Sequence, residues 1–227
     1  RRHVEYAREQ AARALGARPA EVVFTAGGTE ADNIAIKGMA RAQRTLDPRR
    51  RRIVVSAVEH HAVLDPAQWL ADRDGFELTL AEVDHYGRVT PESLRAALGD
   101  APDEVALVSV MLANNEVGTI NDITALTAVT RQHGIRFHTD AVQAPAWLPV
   151  DFAALGVCAM SVSGHKVGGP HGVGAIVIDR ECPVEPLVHG GGQERDVRSG
   201  TLDTPAIAGF ATALTIAAQR REEVVAR

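Results

Sequence analysis

The sequence predicts an α/β protein: a three-layer αβα stack around a mainly parallel sheet of seven strands. Three observations carry this. Short β-branched runs recur along the chain, helix-period segments fall between several of them, and some of the runs are apolar at almost every position. A strand that is apolar at successive positions is buried on both faces, and strands alternating with helices imply βαβ units with helices on both sides of a sheet.

The elements follow in order. Residues 3–15 (HVEYAREQAARAL) have the apolar spacing of an amphipathic helix, closed by Gly16 and Pro19. Strands are expected at 22–25, 53–56, 76–80, 105–110, 135–139, 159–163 and 174–178. Helices are expected at 30–44, 64–73, 91–98, 123–133 and 205–218. No repeat, low-complexity tract or linker interrupts the pattern, so residues 1–227 read as one domain.

Composition narrows the function. The chain has 227 residues, 45% of them hydrophobic, enough for a sizeable core. Its formal net charge of −5 offers no general polycation to nucleic acid. The basic run Arg49 to Arg52 reads as a solvated loop between a helix and a strand. No stretch approaches the roughly 20 apolar residues of a membrane span, and no signal peptide is evident. Two cysteines, Cys158 and Cys182, make no disulfide framework, which points to a reducing cytoplasm. The chain opens on Arg1 within a helical pattern and stops within another at Arg227, as a piece of a longer chain would.

In open α/β sheets the ligand sits beyond the carboxyl ends of the strands, so the polar residues after each strand are the candidates. Ala26-Gly27-Gly28-Thr29 joins a strand to a helix, where free N–H groups and the helix dipole favour a phosphate; a tight turn with Thr29 as N-cap is the plainer reading. Asp140 at a buried strand end needs a cation, a metal or strong donors, and a pyridinium nitrogen is one such cation; a helix N-cap is the alternative. Gln143 lies close enough in sequence to reach the same site. In Ser163-Gly164-His165-Lys166-Val167-Gly168-Gly169-Pro170, a lysine follows a buried strand in a Gly-rich loop. Partial desolvation there lowers a lysine's pKa and makes its amine a nucleophile toward a carbonyl, while Ser163 and His165 add phosphate donors. His60 could stack on a flat ring or move protons near neutral pH; His61 reads as structural.

Read together, these stretches resemble the pyridoxal-phosphate-dependent cysteine desulfurases of the class V aminotransferase group, nearest the iron–sulfur-cluster and nitrogen-fixation type. The resemblance lies in Phe24-Thr25-Ala26-Gly27-Gly28-Thr29-Glu30-Ala31-Asp32-Asn33, Val58-Glu59-His60-His61-Ala62-Val63-Leu64-Asp65, Asn114-Asn115-Glu116-Val117-Gly118, Asp140-Ala141-Val142-Gln143 and Ser161-Val162-Ser163-Gly164-His165-Lys166. It extends to His189-Gly190-Gly191-Gly192-Gln193-Glu194-Arg195 and Arg198-Ser199-Gly200-Thr201. It implies the fold-type I large domain, with pyridoxal 5'-phosphate held as a Schiff base on Lys166 and its pyridine nitrogen paired with Asp140. Gln143 would bond the phenolic oxygen with Asn115 nearby, and His60 would stack on the ring and serve as a candidate acid/base. Gly28, Thr29, Ser163 and His165 would hold the phosphate. Thr201 would reach the phosphate of a partner subunit, implying a homodimer.

The implied reaction takes L-cysteine to L-alanine and an enzyme persulfide, which passes sulfur to an acceptor or scaffold protein for cluster or thio-cofactor assembly. The family's persulfide-bearing loop, its substrate-carboxylate arginine in the C-terminal small domain and its N-terminal segment have no counterpart in these residues. Cys158 and Cys182 do not stand at the family position, so the chain alone is expected not to turn over. Three other readings compete. One is a selenocysteine lyase or another class V enzyme. A metal hydrolase could use His60, His61, His138, Asp140 and His165; adjacent strand residues facing opposite ways, and the lack of a His-Glu-x-x-His helix, argue against it. The third is a non-catalytic partner-binding module that kept the fold.

Overall fold

The computed structural model describes residues 2–226. Its strands are β1 (Val22–Thr25), β2 (Arg52–Ser56), β3 (Glu77–Ala81), β4 (Val105–Ser109), β5 (Arg136–Asp140), β6 (Ala159–Ser163) and β7 (Gly174–Ile178). They form one sheet in the order β1-β7-β6-β5-β4-β2-β3. Neighbours from β3 through β6 are parallel, whereas β7 is antiparallel to both β6 and β1. Reversing only β7 leaves β1 pointing the same way as the parallel strands. Six carboxyl ends therefore share one rim.

Helices cover both faces. Val54 faces one layer with Val4, Leu94, Leu126 and Phe210. Its neighbours Ile53 and Val55 face the other, with Ile34, Met39, Val63 and Leu70. Alternate residues of one strand thus feed two apolar layers, which is why the interior strands are apolar throughout. The first layer holds α1 (Arg2–Ala14), α5 (Pro91–Leu98), α6 (Ile123–Arg131) and α8 (Thr204–Val225). The second holds α4 (His61–Arg73) and a helical run made of α2 (Gly28–Asn33), a π-helical turn (Ile34–Met39) and α3 (Ala40–Leu46). α7 (Phe152–Leu155) is a single turn.

Several boundaries differ from the sequence reading, each for a local reason. β5 starts at Arg136 rather than 135, because the Ile135 N–H is committed to the Thr130 carbonyl at the end of α6. Asp140 is thereby the last residue of the strand. β3 starts at Glu77, the Phe76 N–H being used by the Leu70 carbonyl of α4. α4 starts at His61 rather than 64: the His60 side chain caps it by accepting the Ala62 N–H. Pro66 breaks the sequence pattern, yet costs the helix only one early hydrogen bond. α2 starts at Gly28, because Gly27 turns the chain at φ 147 and accepts the first helical bond, from Ala31. Thr29 is consequently inside the first turn and is not the N-cap. α8 runs on to Val225, and the turn at α7 was too short for a periodicity to reveal.

Candidate active site

Five segments that leave the shared rim enclose a cavity of about 290 Å³. The turn after β1 supplies Gly28 and Thr29, and Asp32 follows one helical turn later. The loop after β2 supplies His60 and Ala62, and the loop after β4 supplies Met111 and Asn115. The end of β5 and its following turn supply Asp140, Val142 and Gln143, and the end of β6 with its turn supplies Ser163, His165 and Lys166. Nine residues chosen from sequence therefore meet at one place. Thr201 does not join them: it lines a separate cleft with Arg8, Gln193 and Glu194.

Local structure explains each placement. A Cβ on Gly28 would lie 2.7 Å from a Val142 methyl, so only glycine lets the start of α2 come against the turn after β5. Lys166 sits in a 3₁₀ turn, Gly164–Val167, closed by Gly168 in the left-handed conformation at φ 78. A Cβ on Gly164 would lie 2.8 Å from the Pro170 carbonyl oxygen, so this turn is also packed too closely for any side chain. Ser163 Oγ and His165 Nδ1 are 2.9 Å apart. The His60 Nδ1 accepts the Ala62 N–H at 3.0 Å, which fixes the ring and leaves Nε2 as the nitrogen that carries a proton.

The cavity floor is a cluster of buried acids. Asp140 Oδ1 accepts the Val142 N–H at 2.8 Å. Burial pushes the Asp140 carboxyl above the ordinary range, while the Val142 N–H and the charges of His60 and Lys166 pull it back. Asp32 is raised by burial and by the charge of Asp140; its Oδ1 makes no hydrogen bond. Glu59, under the cavity, is raised by burial and again by Asp140. Its Oε1 accepts the Met111 N–H at 2.6 Å, whereas Oε2 has no partner. Buried acids that keep an uncommitted oxygen favour a cationic or proton-donating guest.

Sequence reasoning missed Asp32 and Glu59. Asp32 was legible in principle, because it lies four residues after Gly28 and so on the same helix face. Lys166 is exposed at the cavity's edge, so the desolvation expected of it is not provided by its own turn. His138 faces the interior, with Nδ1 2.9 Å from Ser109 Oγ and Nε2 2.9 Å from Ser161 Oγ. Burial lowers its pKa to about 3. With both nitrogens engaged it has none for a metal, and no group of three or more His, Cys, Asp or Glu among the described residues is placed to hold one. No helix among them is long and apolar enough to cross a membrane.

The family model described as aminotransferase class-V matches residues 1–226. The chain belongs to the class-V aminotransferase family. An IscS-like cysteine desulfurase of Mycobacterium tuberculosis is 54% identical over 227 residues, covering 100% of this chain and 58% of that protein. The fold of this class-V chain also matches solved structures. A NifS-like protein superposes with a TM-score of 0.91 at 39% identity, over 97% of this chain and 59% of the other. The protein SspA, in complex with cysteine, gives a TM-score of 0.86 at 37% identity, over 94% and 60% respectively. The class-V chain thus spans a little over half the length of the relatives it matches. The family is pyridoxal-phosphate-dependent, and the cavity chemistry suits that group. A buried acid meets an amine across a space lined by glycine, hydroxyls and the start of a helix.

Proposed function

We propose that this chain is the cofactor-binding large domain of a pyridoxal-phosphate-dependent cysteine desulfurase, acting on L-cysteine to give L-alanine and an enzyme persulfide. The observation that carries the reading is that Asp140 and Lys166 line one cavity, together with Gly28, Thr29, Ser163 and His165. The bound cofactor supplies a carbonyl carbon for an amine and an electron sink for the substrate's Cα.

The residues have separable tasks. Lys166 would hold the cofactor covalently, and its amine is suited to moving a proton at the substrate's Cα. Asp140 would keep a proton on the pyridine nitrogen, and that cation would offset the burial of its carboxylate. The opening N–H groups of α2 and the Thr29 and Ser163 hydroxyls bind the phosphate, with His165 braced by Ser163. Gln143 and Asn115, which line the same cavity, would bond the phenolic oxygen. His60, held by its bond to the Ala62 N–H, would stack on the ring and offers Nε2 for proton transfer. Thr201, displaced from this cavity, is suited to a partner subunit's phosphate, which makes the working unit a homodimer.

Neither Cys158 nor Cys182 lines the cavity, so the persulfide is assigned to a cysteine outside these residues and its sulfur to an acceptor or scaffold protein. The reading is tested on the full-length protein loaded with pyridoxal phosphate. It should show a visible absorbance band that Lys166→Ala abolishes, with alanine formation falling on the order of 10²–10⁴-fold. A band that survives Lys166→Ala, or cysteine consumed without alanine, would overturn it.

A further inference from the structure

At the end of the sheet opposite the Lys166 cavity, the two cysteines meet. Cys158 immediately precedes β6 and Cys182 follows β7, and these antiparallel neighbours pair Ala159 with Ile178. The Asp179 N–H donates to the Cys158 carbonyl at 2.9 Å, and the Cys182 N–H to the Asp179 carbonyl at 3.0 Å. These two backbone hydrogen bonds hold the residues near each other. Cys182 is buried in the apolar layer that also holds Ile34, Ile36 and Met39, and Cys158 packs against the same layer. The Cys182 thiol donates to the Pro183 carbonyl at 3.9 Å, beside the Cys158 side chain.

Their surroundings differ. Cys158 alone of the pair opens outward, into a cleft of about 540 Å³ shared with Arg18, Arg131, Arg136 and Asp179. Arg136 Nη1 is 4.0 Å from the Cys158 sulfur, and the buried Arg136 Nε has no hydrogen-bond partner. An uncommitted guanidinium donor beside an accessible thiol stabilises negative charge on sulfur, or on an oxygen bonded to it. The neighbouring Cys182 thiol pulls the Cys158 thiol below its ordinary pKa, aided by the Phe137 N–H and Arg136 against the effect of burial. The same contact and burial push Cys182 up, so Cys182 keeps its proton.

We infer that Cys158 is a modification site for hydroperoxides and that Cys182 is its resolving thiol. The Cys158 thiolate attacks one peroxide oxygen; an S–O bond forms, the O–O bond breaks, and the departing oxygen is protonated by water. Sulfur has then lost two electrons to the peroxide. The Cys182 sulfur next attacks the oxidised Cys158 sulfur, the S–O bond breaks, and the Cys182 proton leaves with that oxygen as water. The product is a Cys158–Cys182 disulfide, tying the start of β6 to the segment after β7 and reopened by a dithiol. This chemistry is independent of the Lys166 cavity and of the function proposed for it.

The test treats the full-length protein with a small excess of hydrogen peroxide, blocks remaining thiols, digests without reductant and maps cysteines by mass spectrometry. The expected result is a linked peptide pair carrying Cys158 and Cys182, lost on treatment with dithiothreitol. Cys182→Ser should instead leave Cys158 as a sulfenic acid trapped by dimedone, and adding Arg136→Gln should slow that trapping several-fold. Cys158→Ser should leave Cys182 unoxidised. Absence of both the linked pair in the parent and the dimedone adduct in Cys182→Ser, or oxidation of Cys182 without Cys158, would overturn the assignment.

Discussion

A single residue, Glu59, states the energetic problem of the cavity most clearly. It is wholly enclosed, close to Asp140, and one carboxyl oxygen has no hydrogen-bond partner. Its folded pKa is raised, so above the ordinary carboxylate value of about 4.3 the folded protein binds more protons than the unfolded chain. Stability contributed by this group is full below that value and is lost as pH rises through the window above it. Glu59→Gln removes the titration while keeping the shape. In the cofactor-free protein we expect the variant to be more stable than the parent at pH 8, by roughly 1–3 kcal/mol. The gain should shrink toward zero as pH approaches about 4. His138 works in the opposite sense: with its pKa near 3 it costs stability as pH falls below about 6.5. Comparing variant with parent at each pH cancels it. Thermal unfolding across that range makes the check, and a pH-independent difference would show that Glu59 does not titrate there.

At the scale of elements, legibility followed the strength of the periodic signal. β4, β6 and β7 are buried at every position, and such runs declare themselves. The edge strand β3 is partly exposed and was displaced by one residue. The rim residues Asp140, Ser163 and Lys166 were visible because strand ends are where an α/β sheet binds. Asp32 could have been found from its spacing, one helical turn after Gly28, but Glu59 could not, because it does not line the cavity and only a three-dimensional neighbour distinguishes a buried acid from a surface one. The helical run from Gly28 to Leu46 also contains a feature that sequence alone does not disclose. A Cβ on Gly38, in its π-helical turn, would lie 2.6 Å from the Glu185 carbonyl oxygen and 2.8 Å from a Val184 methyl. The Glu185 N–H in turn donates to the Gly38 carbonyl at 3.0 Å. The glycine is there for close approach, not for a turn. Gly38→Ala should therefore push the segment after β7 off the helix, costing about 1–3 kcal/mol in denaturant unfolding. The Glu185 amide should also exchange faster with solvent. An unchanged midpoint with unchanged exchange at Glu185 would show that the helix tolerates the methyl group.

The whole molecule is closed by a contact between distant parts of the chain. β1 is an edge strand, and an open edge invites pairing with other chains. Here it is blocked by an ion pair: the Glu194 carboxylate accepts the Phe24 N–H at 2.7 Å, while Arg8 Nη1 donates to the Val22 carbonyl at 2.8 Å. Arg8 and Glu194 bond each other at 2.6 and 2.8 Å with little exposure, joining α1, β1 and the segment that leads to Thr201. That segment is strained: Glu194, Arg195 and Asp196 all have positive φ, at roughly 1–2 kcal/mol each for residues with side chains. The strain persists because the pair and the strand edge hold the turn in place. Removing one partner leaves a buried charge and an unpaired backbone group, so Arg8→Met or Glu194→Met alone should each cost about 3–5 kcal/mol. Removing both should cost clearly less than the sum, since neither charge is then stranded. Little dependence on salt should accompany this, because enclosed pairs are weakly screened. Urea unfolding of the two single variants and the double variant decides the matter. Strict additivity would mean that Arg8 and Glu194 hold the edge separately, and that the left-handed turn carrying the chain toward Thr201 is kept by something else.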